Sequence, residues 1–572
     1  MEHSRFKTSF AENIFKLKYA QGPNDTWDAL SERLIEDVCG TRGGKDRALM
    51  SKDDMDQLIQ YHKEMKFIAG GRYLYYAGRP NSFFNNCYLL RSEEDTREQW
   101  ADDLWKASRC LTTGGGIGND YSRLRASGKL LSRTGGKSSG PLPHMQAINE
   151  IGRSVMQGGS RRSAIYASLN WQHEDIPLFL HAKDWDEKTR ELKATNFNYP
   201  AYLDMTNISV NYDNAWLKEN LLSLEIEPDK QGYYNNTGIK EYKFKDKLDA
   251  TFLDNVKQAM MTGEPGFSFN FGDKENETLR NACTEVTSED DSDVCNLGSI
   301  NIGNIDSIQE FRDVVNLASK FLVCGTLRAD LPYEKVYKVR KKNRRLGLGL
   351  MGIHEWLLKR STGYEVTPEL HEWLKIYESE SKSSADEHCA RLFISSPVAY
   401  RAIAPTGSIG ILASTTTGIE PLFAVAYKRR YLTDGTHWKY EYVVDSTADR
   451  LINTYSINPD FIDTAYSLSH DYRRRIKFQA DVQDYVDMSI SSTINLPSWG
   501  SKGNQESQVP EFAATLAKYA PRLRGFTCYP DGSRGGQPLT EISYEEALKH
   551  KGTVFTEHDI CDITKKGGTC GS

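Results

Sequence analysis

The sequence has no uninterrupted run of eighteen apolar residues, no C-x-x-C pair and no excess of basic charge. Each absence removes a class of function. Without a long apolar run no segment reads as a membrane-spanning helix, and the opening Met1-Glu2-His3-Ser4-Arg5-Phe6 is too polar for a signal peptide. A cytoplasmic protein with no membrane partner is therefore expected. Ten cysteines, at 39, 87, 110, 283, 295, 324, 389, 528, 561 and 570, are too scattered for a zinc ribbon or a small disulfide scaffold, so no metal site is expected. Lys+Arg 72 against Asp+Glu 78 leaves a net charge of -6 and no field to gather a polyanion, which excludes nucleic acid as an expected partner. Internal repeats and low-complexity blocks are also missing.

What is present is a chain of 572 residues with 39% hydrophobic and 11% aromatic content, enough for a large core. In residues 1–80 Trp27, Leu30, Leu34 and Val38, then Met55, Leu58, Ile59 and Tyr61, fall at helical spacing and predict a helical cap. From 85 to 300 short apolar runs alternate with Gly-rich turns and helical patterns, for example Ser163 to Leu169 and the period-two Phe267 to Phe271. That is α/β patterning. The polar stretch Glu225 to Lys247 predicts an exposed excursion, and the last twenty residues predict a mobile tail.

Four segments carry chemistry. Asn281-Ala282-Cys283-Thr284-Glu285 sets an amide, a thiol and a carboxylate at alternate positions, which an extended loop would turn to one side. Cys295-Asn296-Leu297-Gly298-Ser299 begins twelve residues beyond Cys283. Cys87 opens the apolar run Tyr88-Leu89-Leu90, where a strand enters a core. Ala404-Pro405-Thr406-Gly407-Ser408 combines hydroxyls with a glycine turn suited to an anion. Gly114-Gly115-Gly116-Ile117-Gly118, the arginines after it and Gln157 to Ser163 suggest close backbone approach to phosphate, although Asn119 stands where a dinucleotide fingerprint needs its third glycine. Read singly, each segment also suits a packed thiol or an ordinary turn.

In this order the segments resemble ribonucleotide reductase catalytic subunits, from about residue 80 to 540. The shared signatures are the Asn-x-Cys-x-Glu finger loop, a cysteine followed by Asn-Leu-Gly-Ser, a Pro-Thr-Gly-Ser phosphate loop and an upstream strand cysteine. Met205 to Val210, Arg345 to Gly352 and Asp531-Gly532-Ser533-Arg534 extend the likeness. Class I large subunits carry an adjacent tyrosine pair where this chain has Phe526-Thr527-Cys528-Tyr529, so one of the pair is lost, and class III enzymes carry a C-terminal glycyl-radical motif that the last residues here do not match. The chain thus resembles class II, whose cofactor is adenosylcobalamin, with cobalt only inside the cobalamin.

The resemblance implies a ten-stranded α/β barrel of two parallel halves packed antiparallel, threaded by a central finger loop. The implied domains are a cap at 1–80 without an ATP-cone, a barrel at 81–550 and a flexible tail at 551–572. It assigns the thiyl radical to Cys283, general base to Glu285, ribose orientation to Asn281, and the reducing pair to Cys87 and Cys295. Pro405, Thr406, Gly407 and Ser408 would hold the phosphates of a di- or triphosphate ribonucleotide, and Arg125 and Arg161 would contact a dNTP effector. The helix between the two effector loops would bury Leu142, Met145, Ile148 and Val155 in the barrel or in a homodimer. Cys561 and Cys570, with eight residues between them, would shuttle electrons from thioredoxin or a glutaredoxin-like reductant. The rivals are a class I large subunit needing a radical-generating small subunit and a catalytically inactive nucleotide-binding regulator.

Overall fold

The computed structural model describes residues 5–42, 44–132, 135–157, 161–196, 199–227, 239–433, 437–533, 539–550 and 554–556. Ten strands make the main sheet: β1 (Phe67–Ala69), β2 (Cys87–Arg91), β3 (Gly116–Asp120), β4 (Ile165–Asn170), β5 (Thr206–Tyr212), β6 (Gly266–Phe269), β7 (Asp293–Asn301), β8 (Leu346–Met351), β9 (Thr493–Leu496) and β10 (Gly525–Pro530). β2 to β6 lie side by side in chain order and all parallel. β7 pairs parallel with β8, and β9 parallel with β10. The junctions between the groups are antiparallel, β2 with β7 and β6 with β10. Single parallel bridges, Leu348 with Arg401 and Ile403 with Ile490, carry pairing from β8 toward the residues before β9.

Parallel neighbours need long crossovers, and here these are helical: Arg97–Thr112 joins β2 to β3, Leu142–Ser154 joins β3 to β4, and Ile308–Arg328 joins β7 to β8. Strands covered on both faces are buried throughout, as in every residue of β2 and β7. The alternation expected at Phe267 to Phe271 is real, but its polar side does not face solvent. Phe267 and Phe269 enter the helix-side core, while the equally buried Ser268 and Asn270 face inward. In the helix Leu142–Ser154, Met145 and Ile148 are buried in that same core, with Leu142, Ile151 and the adjoining Val155 packed against it, so the face is covered by its own barrel domain.

The N-terminal region is helical as expected, with Ser9–Lys18, Trp27–Val38 and Lys52–Lys63 capped by Thr8, Thr26 and Ser51. Trp27, Leu30, Leu34 and Val38 share one core with Phe321 and Trp373 of the barrel helices. The region also contributes a strand: β1 pairs antiparallel with β7, so the cap is fused to the sheet. Of the Glu225 to Lys247 excursion, residues 225–227 and 239–244 belong to a separate antiparallel pair, Leu221–Glu227 with Ile239–Phe244, and residues 228–238 lie outside the described residues. The tail expected from 551 still includes Val554–Thr556, which pairs with Lys439 to Glu441. Among the described residues no helix is long and apolar enough to cross a membrane, and no cluster of ligands suits a metal ion.

Candidate active site

Between β6 and β7 the chain forms a narrow hairpin, Leu279–Arg280 paired with Thr287–Ser288, whose tip holds Asn281 to Val286. It lies directly on β3. A Cβ on Gly118 would stand 1.8 Å from the Arg280 carbonyl oxygen, and one on Gly116 would stand 2.9 Å from Ala282 Cβ. A Cβ on Gly114 would meet the Arg72 guanidinium at 1.9 Å. This corrects the phosphate reading of the glycine run: the close approach is real, but the finger and an arginine make it. Gly118→Ala should displace the finger and cost about 1–3 kcal/mol, the usual overpacking penalty. Thermal unfolding and turnover should both fall, whereas Gly22→Ala, with nothing within 4 Å of the added Cβ, should change neither.

The tip is not extended. Thr284 adopts φ 69°, and its N–H closes a turn on the Asn281 carbonyl at 3.0 Å. The expected single row of Asn281, Cys283 and Glu285 is therefore corrected. Cys283 is exposed, while Asn281 and Glu285 fold back and are buried. Asn281 Oδ1 accepts from the Val286 N–H at 2.9 Å, and its Nδ2 donates to Cys87 Sγ at 2.9 Å. The Cys87 thiol donates to Glu285 Oε1 at 3.7 Å. Cys87 stands directly opposite Cys295 across the β2/β7 pairing. Gly347 on β8 leaves room for the second thiol, since a Cβ there would lie 3.0 Å from Cys295 Sγ.

Burial sets the chemistry of these groups. Desolvation pushes Glu285 up to about 7, against the opposing hydrogen bond from Asn281. Its Oε2 is buried without a hydrogen-bond partner, which makes it a waiting acceptor. Desolvation also drives Cys87 and Cys295 well above the usual thiol range, with the nearby Glu285 charge adding to both. Both therefore rest as thiols, each carrying a hydrogen.

Residues that the motifs did not flag fix the finger. Asn207 of β5 donates to the Ala282 carbonyl at 3.4 Å, and the Ser489 N–H donates to the Glu285 carbonyl at 2.9 Å. At the base Glu277 accepts from Arg524 at 3.0 Å and from Thr287 at 2.7 Å, and Asp293 accepts from Arg345 at 2.6 Å. Burial opposes the charge on Glu277, but the Arg524 and Arg345 guanidiniums hold its carboxyl down at about 2. Arg345 and Asn207 lie within family-like segments. Glu277 and Ser489 had no signal beyond their residue type.

The phosphate-loop candidates are close by. The Ser489 carbonyl accepts from the Ile403 N–H at 3.2 Å, and Thr406 follows three residues later. Thr406 Oγ1 accepts from the Gly418 N–H at 2.8 Å, while Pro405 and Gly407 are exposed. Arg125 is ion-paired with Asp95. The Arg161 backbone pairs with Gln157 in a short ribbon, but its side chain, like residues 158–160 and Cys561 and Cys570, lies outside the described residues.

Fold and site together place a thiol and a carboxylate on a hairpin within an α/β sheet structure, backed by two cysteines of neighbouring strands. The chain belongs to the ribonucleotide reductase family, since the model for its barrel domain matches residues 85–371 and 398–520. A vitamin B12-dependent ribonucleoside-diphosphate reductase of Mycobacterium tuberculosis is 25% identical over 544 residues, covering 86% of this chain and 74% of the relative. A protein of the same name from Thermoplasma acidophilum is 26% identical, covering 83% and 65%. A ribonucleoside-diphosphate reductase subunit alpha of Synechocystis is also 26% identical but aligns over only 51% of this chain and 41% of its own length.

Proposed function

We propose that this chain is the catalytic polypeptide of an adenosylcobalamin-dependent ribonucleotide reductase, converting ribonucleotides to 2′-deoxyribonucleotides. The observation that carries the reading is the meeting of Asn281, Glu285, Cys87 and Cys295 behind the exposed Cys283. The long alignments with B12-dependent relatives favour this class over the tyrosine-relay class. So does Gly525 on β10, which brings no side chain against Thr284 of the finger: a Cβ there would lie 3.8 Å from Thr284 Oγ1. In the segment matched to the tyrosine pair, Tyr529 is the one tyrosine present, and Phe526 and Cys528 are buried in the helix-side core. An exposed thiol at the finger tip fits a radical source arriving from outside the chain. When bound, adenosylcobalamin supplies the one-electron chemistry that generates a thiyl radical at Cys283.

The remaining steps belong to this chain. Cys283 takes the ribose 3′-hydrogen, Glu285 Oε2 accepts the 3′-hydroxyl proton, and Asn281 orients the sugar hydroxyls. Cys87 and Cys295 release the 2′-oxygen as water and become a disulfide. Pro405 to Ser408 hold the di- or triphosphate, Arg125 and Arg161 contact a dNTP effector, and Cys561 and Cys570 pass electrons from a thioredoxin-like reductant. Purified protein given adenosylcobalamin, dithiothreitol and either CDP or CTP under anaerobic conditions should form deoxynucleotide unaided. Product appearing only after a radical-generating subunit is added would reverse the class assignment.

The raised carboxyl gives a pH signature. A general base must be deprotonated, so turnover should rise with pH through about 7. Glu285→Gln should flatten that limb and slow turnover about 10²- to 10⁴-fold. Stability should move the other way. The folded chain holds the proton that the unfolded chain loses near the ordinary value of 4.5, so this group's contribution is full below 4.5 and is lost as pH rises through about 7. A pH–rate profile and urea unfolding at pH 5 and 8, each on wild type and Glu285→Gln, test both signs.

A further inference from the structure

The proposed phosphate loop, Ala404-Pro405-Thr406-Gly407-Ser408, carries no charge, yet its ligand is a polyanion. The cation comes from the other end of the sequence. Helix Ser9–Lys18 packs along helix Gly407–Ala413, and Lys18, its last residue, donates from Nζ to Ser408 Oγ at 3.3 Å. Among the described residues no other cationic side chain is hydrogen-bonded to this loop.

The fold holds that end of the helix in place. Ala11 and Phe15 are buried, and the Phe15 ring meets Phe6 at 5.3 Å and Trp27 at 6.1 Å. Tyr19, next to Lys18, is buried, and its hydroxyl oxygen lies 3.2 Å from where a Gly71 Cβ would stand. The adjacent Gly70 N–H donates to the Leu297 carbonyl at 2.8 Å, two residues along β7 from Cys295. The backbone at Lys18 is thus tied to the strand bearing a reducing cysteine, while its ammonium reaches the loop. Beyond Gly407 the space is open, with nothing within 4 Å of an added Cβ.

An exposed Lys–Ser contact contributes little to folding. A compact ammonium on a flexible stem is suited to a phosphate oxygen as a point charge. We propose that Lys18 binds the substrate, its ammonium pairing with the phosphates of the ribonucleotide held by Pro405 to Ser408. This makes the N-terminal helix part of the substrate site. The inference rests on the reading of that loop and of the chain as a ribonucleotide reductase.

The test uses full-length Lys18→Met and Lys18→Arg. Because Lys18 is exposed, both variants should match the wild-type unfolding midpoint. Equilibrium dialysis of CDP and CTP reads the inference, and turnover with adenosylcobalamin and dithiothreitol reads the function beneath it. Lys18→Met should weaken nucleotide binding about tenfold, move KM more than kcat and flatten the salt dependence of binding, with Lys18→Arg restoring most of the loss. Equal affinity and equal salt dependence in Lys18→Met and wild type would overturn the role of Lys18. Absence of turnover in wild type, with the binding difference intact, would overturn the reductase reading and leave Lys18 as an anion ligand.

Discussion

Cys283→Ser is expected to abolish deoxynucleotide formation while nucleotide binding and the unfolding midpoint stay at wild-type values. The side chain is exposed at the finger tip, so exchanging sulfur for oxygen removes no core packing. The backbone around it is fixed by other groups: the Asn281 side chain on Val286, Asn207 on Ala282 and Ser489 on Glu285. The chemistry alone changes. A thiol S–H bond is weak enough to give up its hydrogen atom to a carbon radical and to regain it from a ribose carbon. A serine O–H bond is much stronger, so an oxygen radical is not reached from the same source. Anaerobic assay with adenosylcobalamin and dithiothreitol should find no product even at long times. Deoxynucleotide at near wild-type rate from the serine variant would remove Cys283 from the reaction and with it the central step of the mechanism.

The alternation of apolar runs with helical spacing already indicated α/β, and Trp27 to Val38 marked a core helix of the cap, because burial requires those periods. Other features were hidden for definable reasons. The strand at β1 is three residues long within a helical region, too short for any period to register. The pairing at Arg401 and Ile403 rests on single bridges, which leave no alternating pattern. Gly114 to Gly118 announced a close approach, but a missing side chain does not say what comes near, and phosphate was the wrong guest. The finger motif gave the right residues in the wrong shape, since one left-handed residue, Thr284, turns an apparent row into a turn. Lys18 carried no signal because a lysine at a helix end is ordinary, and its meaning lies in a contact 390 residues away.

Cys295→Ser should also end reduction, but by another route, because the altered enzyme should still activate its substrate. Cys87 and Cys295 are facing partners in an antiparallel pair, a position in which Cα atoms stand about 4.5–5.5 Å apart with side chains on one face. That separation falls within the roughly 4.4–6.8 Å that a disulfide spans. The register therefore suits a bond between the two sulfur atoms. Desolvation keeps both thiols protonated, so each brings the hydrogen required when the 2′-oxygen leaves as water, and the two sulfur atoms together yield the electron pair. With serine at 295 the second thiol is gone and no disulfide can form. Cys283 and Glu285 are untouched, so hydrogen is still taken from the ribose and the activated sugar has no reductant. Chromatography should then show nucleotide consumed and free base released in place of deoxynucleotide. In wild type, peptide mapping after one turnover without external reductant should recover the Cys87 and Cys295 peptides joined. Finding both thiols free, with deoxynucleotide formed, would mean that the electrons come from elsewhere and that this facing pair is only packing.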